Sequence, residues 1–196
     1  MLLTFFVSGV SALAYQLCWQ RALYALIGVD VDSVTIVVSV FMFGIGIGGL
    51  FGGYIADRFQ GRLVAIYAGI ELGIGVYGLL SLALIATVLQ WAPLFASDLR
   101  PMNALGGLLL LIVPTVLMGM TLPILTIAFN VAEKNIGYSV GTLYFANTAG
   151  AAIGALALPF SLFSFMTLEQ VVQAAALLNF AIAGSALLCR RFGVAA

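Results

Sequence analysis

Hydrophobic residues occupy six long stretches of the chain, and most of its few charged residues lie in the short segments between them. Each stretch is long enough to cross about 30 Å of hydrocarbon as a helix, which takes about 20 residues. A membrane β-barrel would show segments of about ten residues with alternating polarity, and the sequence has no such alternation. The pattern predicts an all-α integral membrane protein, a single domain over 1–196 with six transmembrane helices at 2–27, 34–56, 63–90, 104–131, 138–163 and 168–189.

The composition agrees with a lipid environment. Of the 196 residues, 64% are hydrophobic and 7% are charged, whereas soluble domains carry about 25% charged residues. The seven basic residues are scattered, so no cationic face is expected to bind nucleic acid. Histidine is absent, and Cys18 and Cys189 are predicted near opposite membrane faces. We therefore expect no metal ion and no cofactor in this chain. The sequence assigns a catalytic role to none of its residues.

The basic residues predict the orientation of the helices. Short loops that are rich in lysine and arginine stay on the cytoplasmic side of a membrane. If six helices alternate, five of the seven basic residues share one side: Arg58, Arg62, Lys134, Arg190 and Arg191. Arg100, in the loop 91–103, falls on the other side. The prediction is a multi-pass protein of the bacterial inner membrane with both termini in the cytoplasm.

The second stretch contains a glycine-rich run, GIGIGGLFGG. Gly44, Gly48 and Gly52 lie four residues apart on one helix stripe, with Gly49 and Gly53 beside it. Small residues allow helices to approach closely in lipid, so the stripe favours packing within the chain, with a dimer interface as the alternative. A nucleotide-binding loop is excluded because no strand precedes these glycines.

A compact charged turn follows in the run GYIADRFQGR, where Asp57, Arg58, Gly61 and Arg62 lie between the second and third helices. This turn resembles the loop signature of the major facilitator superfamily, with one additional residue, Gln60, before the second glycine. The resemblance implies that six helices correspond to one half of a major facilitator fold.

A second resemblance covers almost the entire chain. It rests on five runs in order: FFVSGVSALAYQLCWQRAL, GGLFGGYIADR, IELGIGVYGLLS, PTVLMGMTLPIL and VGTLYFANTAGAAIGAL. Together they resemble the membrane region of bacterial spermidine-synthase-like proteins, in which a facilitator-like part is fused to a polyamine aminopropyltransferase domain. That domain is a Rossmann-type fold that binds decarboxylated S-adenosylmethionine. No glycine-rich strand-to-helix turn occurs here, so we expect this chain to lack the synthase domain and a separate soluble partner to supply any activity.

Glu71 lies about nine residues inside the third helix, some 13 Å from the helix end. A charged carboxylate near the centre of a membrane costs about 2.5 to 3.5 kcal/mol, so Glu71 requires a partner, a proton or a water-filled cavity. Similar depth predicts a buried polar layer, whose other candidate members are Asn147, Tyr144, Thr148, Thr121 and Pro123. Two interpretations remain open, an interhelical hydrogen-bond clamp and a transport or proton-relay site.

A second polar group lies in the first helix and comprises Tyr15, Gln16, Gln20 and Arg21. Its four-residue spacing places the two glutamines on one face.

Three functions fit these features. The first is a noncatalytic membrane subunit that docks or anchors a partner protein in the inner membrane. The second is a half-size facilitator-like transporter of a small solute, such as a cationic amine, acting as a homodimer. The third is the membrane component of a separately encoded aminopropyltransferase-like enzyme. Expected partners are the lipid bilayer and other membrane or membrane-associated chains.

Overall fold

Six long helices make up the protein in the computed structural model, which describes residues 1–27, 30–91 and 100–191. Their bounds are α1 Leu2–Ile27, α2 Asp30–Arg58, α3 Leu63–Trp91, α4 Arg100–Glu133, α5 Ile136–Ala157 and α6 Leu168–Arg191. Each contains a stretch long and apolar enough to cross a membrane. The described ranges contain no β-strand. The described residues therefore confirm the predicted all-helical chain with six long apolar helices.

The helices extend beyond the apolar stretches from which they were predicted. α2 begins at Asp30 rather than at 34, and α4 runs from Arg100 to Glu133 rather than over 104–131. Helical hydrogen bonding continues into polar terminal turns, which hydrophobicity alone does not mark. α5 begins at Ile136, where the Asn135 side chain caps the helix by accepting a 3.1 Å hydrogen bond from the Tyr138 amide.

The helix predicted at 138–163 is irregular near its end. After Ala157 the chain forms a π-helical turn, Leu158–Leu162, and then one α-helical turn, Phe163–Phe165. Pro159 lacks an amide hydrogen and its ring crowds the preceding turn, so a wider turn accommodates it. Pro114 and Pro123 lie inside α4, which continues past both of them.

Most of the extensive helix pairs join helices that are not neighbours in sequence, and the pair α3–α4 is the exception. α2 lies along α4, α1 along α5, and α3 along α6 and α4, with α1 also contacting α6. α5 is the least buried of the six. The core therefore lies mainly among α1, α3, α4 and α6, and it contains large side chains such as Trp19, Tyr15 and Tyr67.

The glycine stripe of α2 divides into two faces. At Gly48, a Cβ atom would lie 2.2 Å from the Val116 carbonyl oxygen and 2.8 Å from the Gly119 Cα atom, so only glycine allows this approach of α2 to α4. Gly52 meets the Met120 backbone of α4 in the same way, and Gly44 meets the Thr115 side chain of α4. A Cβ atom at Gly49 or Gly53 would meet nothing within 4 Å. These two glycines lie beside the interface rather than in it.

Part of the predicted topology lies outside the described residues. This applies to residues 92–99 of the predicted outer loop and to the side chains of Arg100, Arg190 and Arg191. The remaining loop cations, Arg58, Arg62 and Lys134, are exposed at the α2–α3 and α4–α5 connections. These two connections lie at the same end of the bundle because α2 and α4 run parallel, with Gly44 opposite Thr115 and Gly52 opposite Met120 and Pro123.

Candidate functional site

The Glu71 carboxyl group is the centre of a buried polar cluster. Glu71 lies on α3 and is fully buried. The Ser8 hydroxyl of α1 donates a 2.8 Å hydrogen bond to Oε1, and the Asn179 amide of α6 donates a 2.6 Å hydrogen bond to Oε2. Each carboxyl oxygen therefore has a donor, and the three side chains tie three helices together.

Two tyrosines extend this arrangement. The Tyr15 hydroxyl of α1 donates a 3.1 Å hydrogen bond to Oδ1 of Asn179. The Tyr67 hydroxyl lies beside Glu71 and Ser8 and is buried, but in the described part of the chain it meets no partner with hydrogen-bond geometry. We call Ser8, Tyr15, Tyr67, Glu71 and Asn179 the Glu71 cluster. All five side chains are buried, so the cluster is closed to solute in this conformation.

Aromatic packing holds the cluster in place from the α1 side. The Tyr15 ring stacks on Trp19 at 5.4 Å between ring centres, and the Trp19 indole donates a 2.8 Å hydrogen bond to the Ser81 hydroxyl. Space for the Tyr15 ring exists because Gly78 has no side chain, since a Cβ atom there would lie 2.4 Å from the ring. Ser81 in turn donates to the Gly78 carbonyl oxygen at 2.6 Å. The Tyr15 hydroxyl is therefore directed at Asn179 by packing as well as by its hydrogen bond.

The other members of the predicted polar layer lie elsewhere. The Asn147 amide donates to the Phe5 carbonyl oxygen at 3.2 Å and thus joins α5 to α1. The Thr121 hydroxyl donates to the Met118 carbonyl oxygen within α4, and Pro123 packs against Gly52. Tyr144 and Thr148 are exposed on α5. None of these side chains contributes a hydrogen bond to Glu71 among the described contacts.

Asn147 was one predicted member of the polar layer around Glu71, whereas Asn179, which donates to Glu71, was not predicted. The signal was present, because Asn179 is the only asparagine in an otherwise largely apolar α6. Position along its own helix does not show which asparagine lies beside Glu71. The packing of α3 against α6 decides it.

The predicted polar group of α1 is also divided by the structure. Tyr15 points into the core, whereas Arg21 is exposed and its guanidinium lies 3.8 Å from the centre of the Phe163 ring. This cation–π contact gives the guanidinium charge an aromatic partner. Gln16 and Gln20 are half-buried. In the residues that the structure describes, no three histidine, cysteine, aspartate or glutamate side chains come together as metal ligands would.

Comparison with known proteins gives a match to two enzymes of Streptomyces coelicolor. Polyamine aminopropyltransferase 2 is 30% identical over 166 residues, which are 82% of this chain and 28% of that protein. Polyamine aminopropyltransferase 1 is 26% identical over 172 residues, or 87% of this chain and 30% of that protein. This chain is similar to one segment of polyamine aminopropyltransferases.

The match confirms the resemblance to spermidine-synthase-like proteins that the five sequence runs predicted. The chain spans less than a third of the length of these polyamine aminopropyltransferases. No family model and no solved structure matches the chain. The similarity therefore connects a six-helix apolar bundle with proteins named for polyamine chemistry.

Replacing Tyr15 by phenylalanine should lower the free energy of unfolding by about 1 to 2 kcal/mol. The substitution keeps the ring stack but leaves the Asn179 oxygen buried without its donor. Thermal unfolding in detergent measures the effect, with Tyr54→Phe as the matched control because Tyr54 is 66% exposed. Equal stability of the two variants would contradict the role assigned to the Tyr15 hydroxyl.

Proposed function

We propose that this chain is the membrane-embedded module of a polyamine aminopropyltransferase system. In this proposal six helices span the bacterial inner membrane in the manner of half a facilitator fold, with both termini in the cytoplasm. Its function is to dock a soluble aminopropyltransferase partner at the cytoplasmic surface. The observation that carries the proposal is that polyamine aminopropyltransferases contain a segment similar to most of this apolar bundle.

The Glu71 cluster supports a structural role for the bundle. A solute-binding carboxylate has to be reached by the solute, whereas Glu71 is fully buried and both of its oxygens accept hydrogen bonds from side chains of the same chain. An interhelical clamp needs this closure, because an open cluster would lose its hydrogen bonds to water. The geometry thus favours the clamp interpretation over transport through Glu71.

The docking surface in this proposal is the end of the bundle that carries the α2–α3 and α4–α5 connections. Arg58, Arg62 and Lys134 are exposed there. The first connection is short and ordered by a 2.9 Å hydrogen bond from the Arg62 amide to the Phe59 carbonyl oxygen. Cations held at fixed positions on a surface fit a partner with a complementary acidic patch.

Purification of the tagged chain from its native membranes in mild detergent tests this function. We expect it to copurify with a polypeptide that transfers the aminopropyl group of decarboxylated S-adenosylmethionine to an amine. Replacing both Arg58 and Arg62 by serine should release this activity from the membrane fraction, because charge complementarity contributes to docking. The readout is aminopropyl transfer in the eluate, normalised to the amount of tagged chain.

The matched control is Arg21→Ser, since Arg21 is also exposed but lies on α1 against Phe163. This variant should keep the partner activity. If the wild-type chain elutes without aminopropyltransferase activity, or if the Arg58 and Arg62 substitutions and Arg21→Ser reduce it equally, the docking proposal is wrong.

A further inference from the structure

A groove lies between α2, α4 and α5, toward the end of the bundle that carries Asp57. It has a volume of about 330 Å³, near the lower limit of small-molecule sites. The lining residues are Gly49, Gly53, Asp57, Leu122, Pro123, Thr126, Ile127 and Val140. The groove is separate from the Glu71 cluster, with which it shares no residue. We call it the α2/α4/α5 groove.

The walls of the groove are apolar, and two glycines keep it open. A Cβ atom at Gly49 or Gly53 would meet nothing within 4 Å, so close helix packing does not require glycine at either position. Gly44, Gly48 and Gly52 on the neighbouring stripe, by contrast, contact α4 directly. From Gly49 to Asp57 the groove follows α2 for about 12 Å. A linear chain of about ten atoms spans this distance when extended.

Two polar groups in the groove indicate the chemistry of a ligand. Asp57 is exposed and places a carboxylate at the end of the groove. Thr126 is only 5% exposed, and its hydroxyl has no hydrogen-bond partner within the described residues. Buried hydroxyl groups are normally hydrogen-bonded. A hydrocarbon chain from the bilayer would satisfy neither group.

We propose that the α2/α4/α5 groove binds a linear alkylamine. Its primary ammonium group lies at Asp57, its hydrocarbon chain lies along Gly53 and Gly49, and a second nitrogen reaches the Thr126 hydroxyl. The carboxylate supplies charge complementarity, and the apolar walls bury the methylene groups. The inference rests on the proposed function only in its choice of probe, a polyamine.

Equilibrium binding of radiolabelled spermidine to the purified full chain in neutral detergent tests the site. Wild-type protein should bind spermidine, and Asp57→Asn should weaken binding about tenfold or more because a charge-assisted hydrogen bond is lost. Gly53→Val should weaken it similarly by filling the groove, and Thr126→Val should have a smaller effect in the same direction. The unfolding temperature of each variant verifies that the bundle remains folded.

Glu133→Gln is the matched control, because Glu133 is an exposed acid at the same end of the bundle and does not line the groove. Its affinity for spermidine should equal that of the wild type. If Asp57→Asn and Glu133→Gln lowered the affinity for spermidine equally, general surface charge would explain the effect and the proposed site would be wrong. Unchanged binding in Gly53→Val would also overturn it.

A second measurement distinguishes a free amine from a lipid headgroup amine. Spermidine binding is compared in nanodiscs of phosphatidylcholine alone and in nanodiscs that also contain phosphatidylethanolamine. We expect equal affinities. If phosphatidylethanolamine abolishes binding, the groove belongs to the lipid and the free-amine proposal is overturned. Because these assays use the chain without a partner, failure of docking would leave their outcome unaffected.

Discussion

Replacing Glu71 by alanine should lower the free energy of unfolding by about 3 kcal/mol, the largest effect we expect from a single polar substitution in this protein. The Asn179 amide and the Ser8 hydroxyl would lose their acceptors inside the core, and a cavity would remain between α1, α3 and α6. In an apolar interior neither group can turn to water instead. Thermal or denaturant unfolding in detergent, followed by circular dichroism, measures the loss.

The matched substitution is Glu71→Gln. Its amide oxygen can accept from Asn179, and its amide nitrogen can donate to the Ser8 oxygen, so the clamp keeps its geometry without a titratable group. We expect a loss of less than about 1 kcal/mol. A large loss of stability in the glutamine variant would show that the carboxyl group itself is needed and would contradict the clamp.

A single methyl group at Gly48 should destabilise the bundle by about 2 to 3 kcal/mol. In Gly48→Ala the new Cβ atom would lie 2.2 Å from the Val116 carbonyl oxygen and 2.8 Å from the Gly119 Cα atom. Both are backbone atoms, which a side-chain rotation cannot move, so α2 and α4 have to separate. The unfolding temperature of the purified variant in detergent is the measurement.

Gly46→Ala is the control on the same helix. A Cβ atom at Gly46 meets nothing within 4 Å, so this variant should be neutral or more stable by up to about 1 kcal/mol, because alanine favours the helix over glycine. The two variants thus have opposite expected signs. If Gly46→Ala were the more destabilising of the two, this face of α2 would be engaged by something other than α4.

The Glu71 cluster and the Gly48 contact are two kinds of interaction that determine which helices of an apolar bundle pack together. In lipid, burying hydrocarbon gives little preference for one helix pair over another, so close backbone approach and internal hydrogen bonds select the partners. Gly48 and Gly119 select α4 for α2, and Ser8, Glu71 and Asn179 join α1, α3 and α6. The proposed amine groove lies outside both the close glycine contacts and the Glu71 cluster.

Sequence alone could predict the number, type and approximate position of the helices, because six apolar stretches of spanning length carry that information locally. It also indicated that Glu71 needs a partner and that the α2 glycines mediate packing. Neither inference requires knowing which helices touch. The short irregular segment after Ala157 was missed, although Pro159 lay within the predicted span as a local signal.

Only the tertiary structure decided the pairing of helices and with it the partners of each polar side chain. Residues at equal depth, such as Asn147 and Asn179, cannot be distinguished by counting along their own helices, since depth does not fix which helix lies beside α3. Rotation about the helix axis is likewise undetermined in helices that are apolar on nearly all sides, which is why Tyr144 and Thr148 were assigned to the core and lie outside. The sequence determined that a buried acid needs hydrogen-bond donors, and the packing of α1 and α6 against α3 determined that Ser8 and Asn179 supply them.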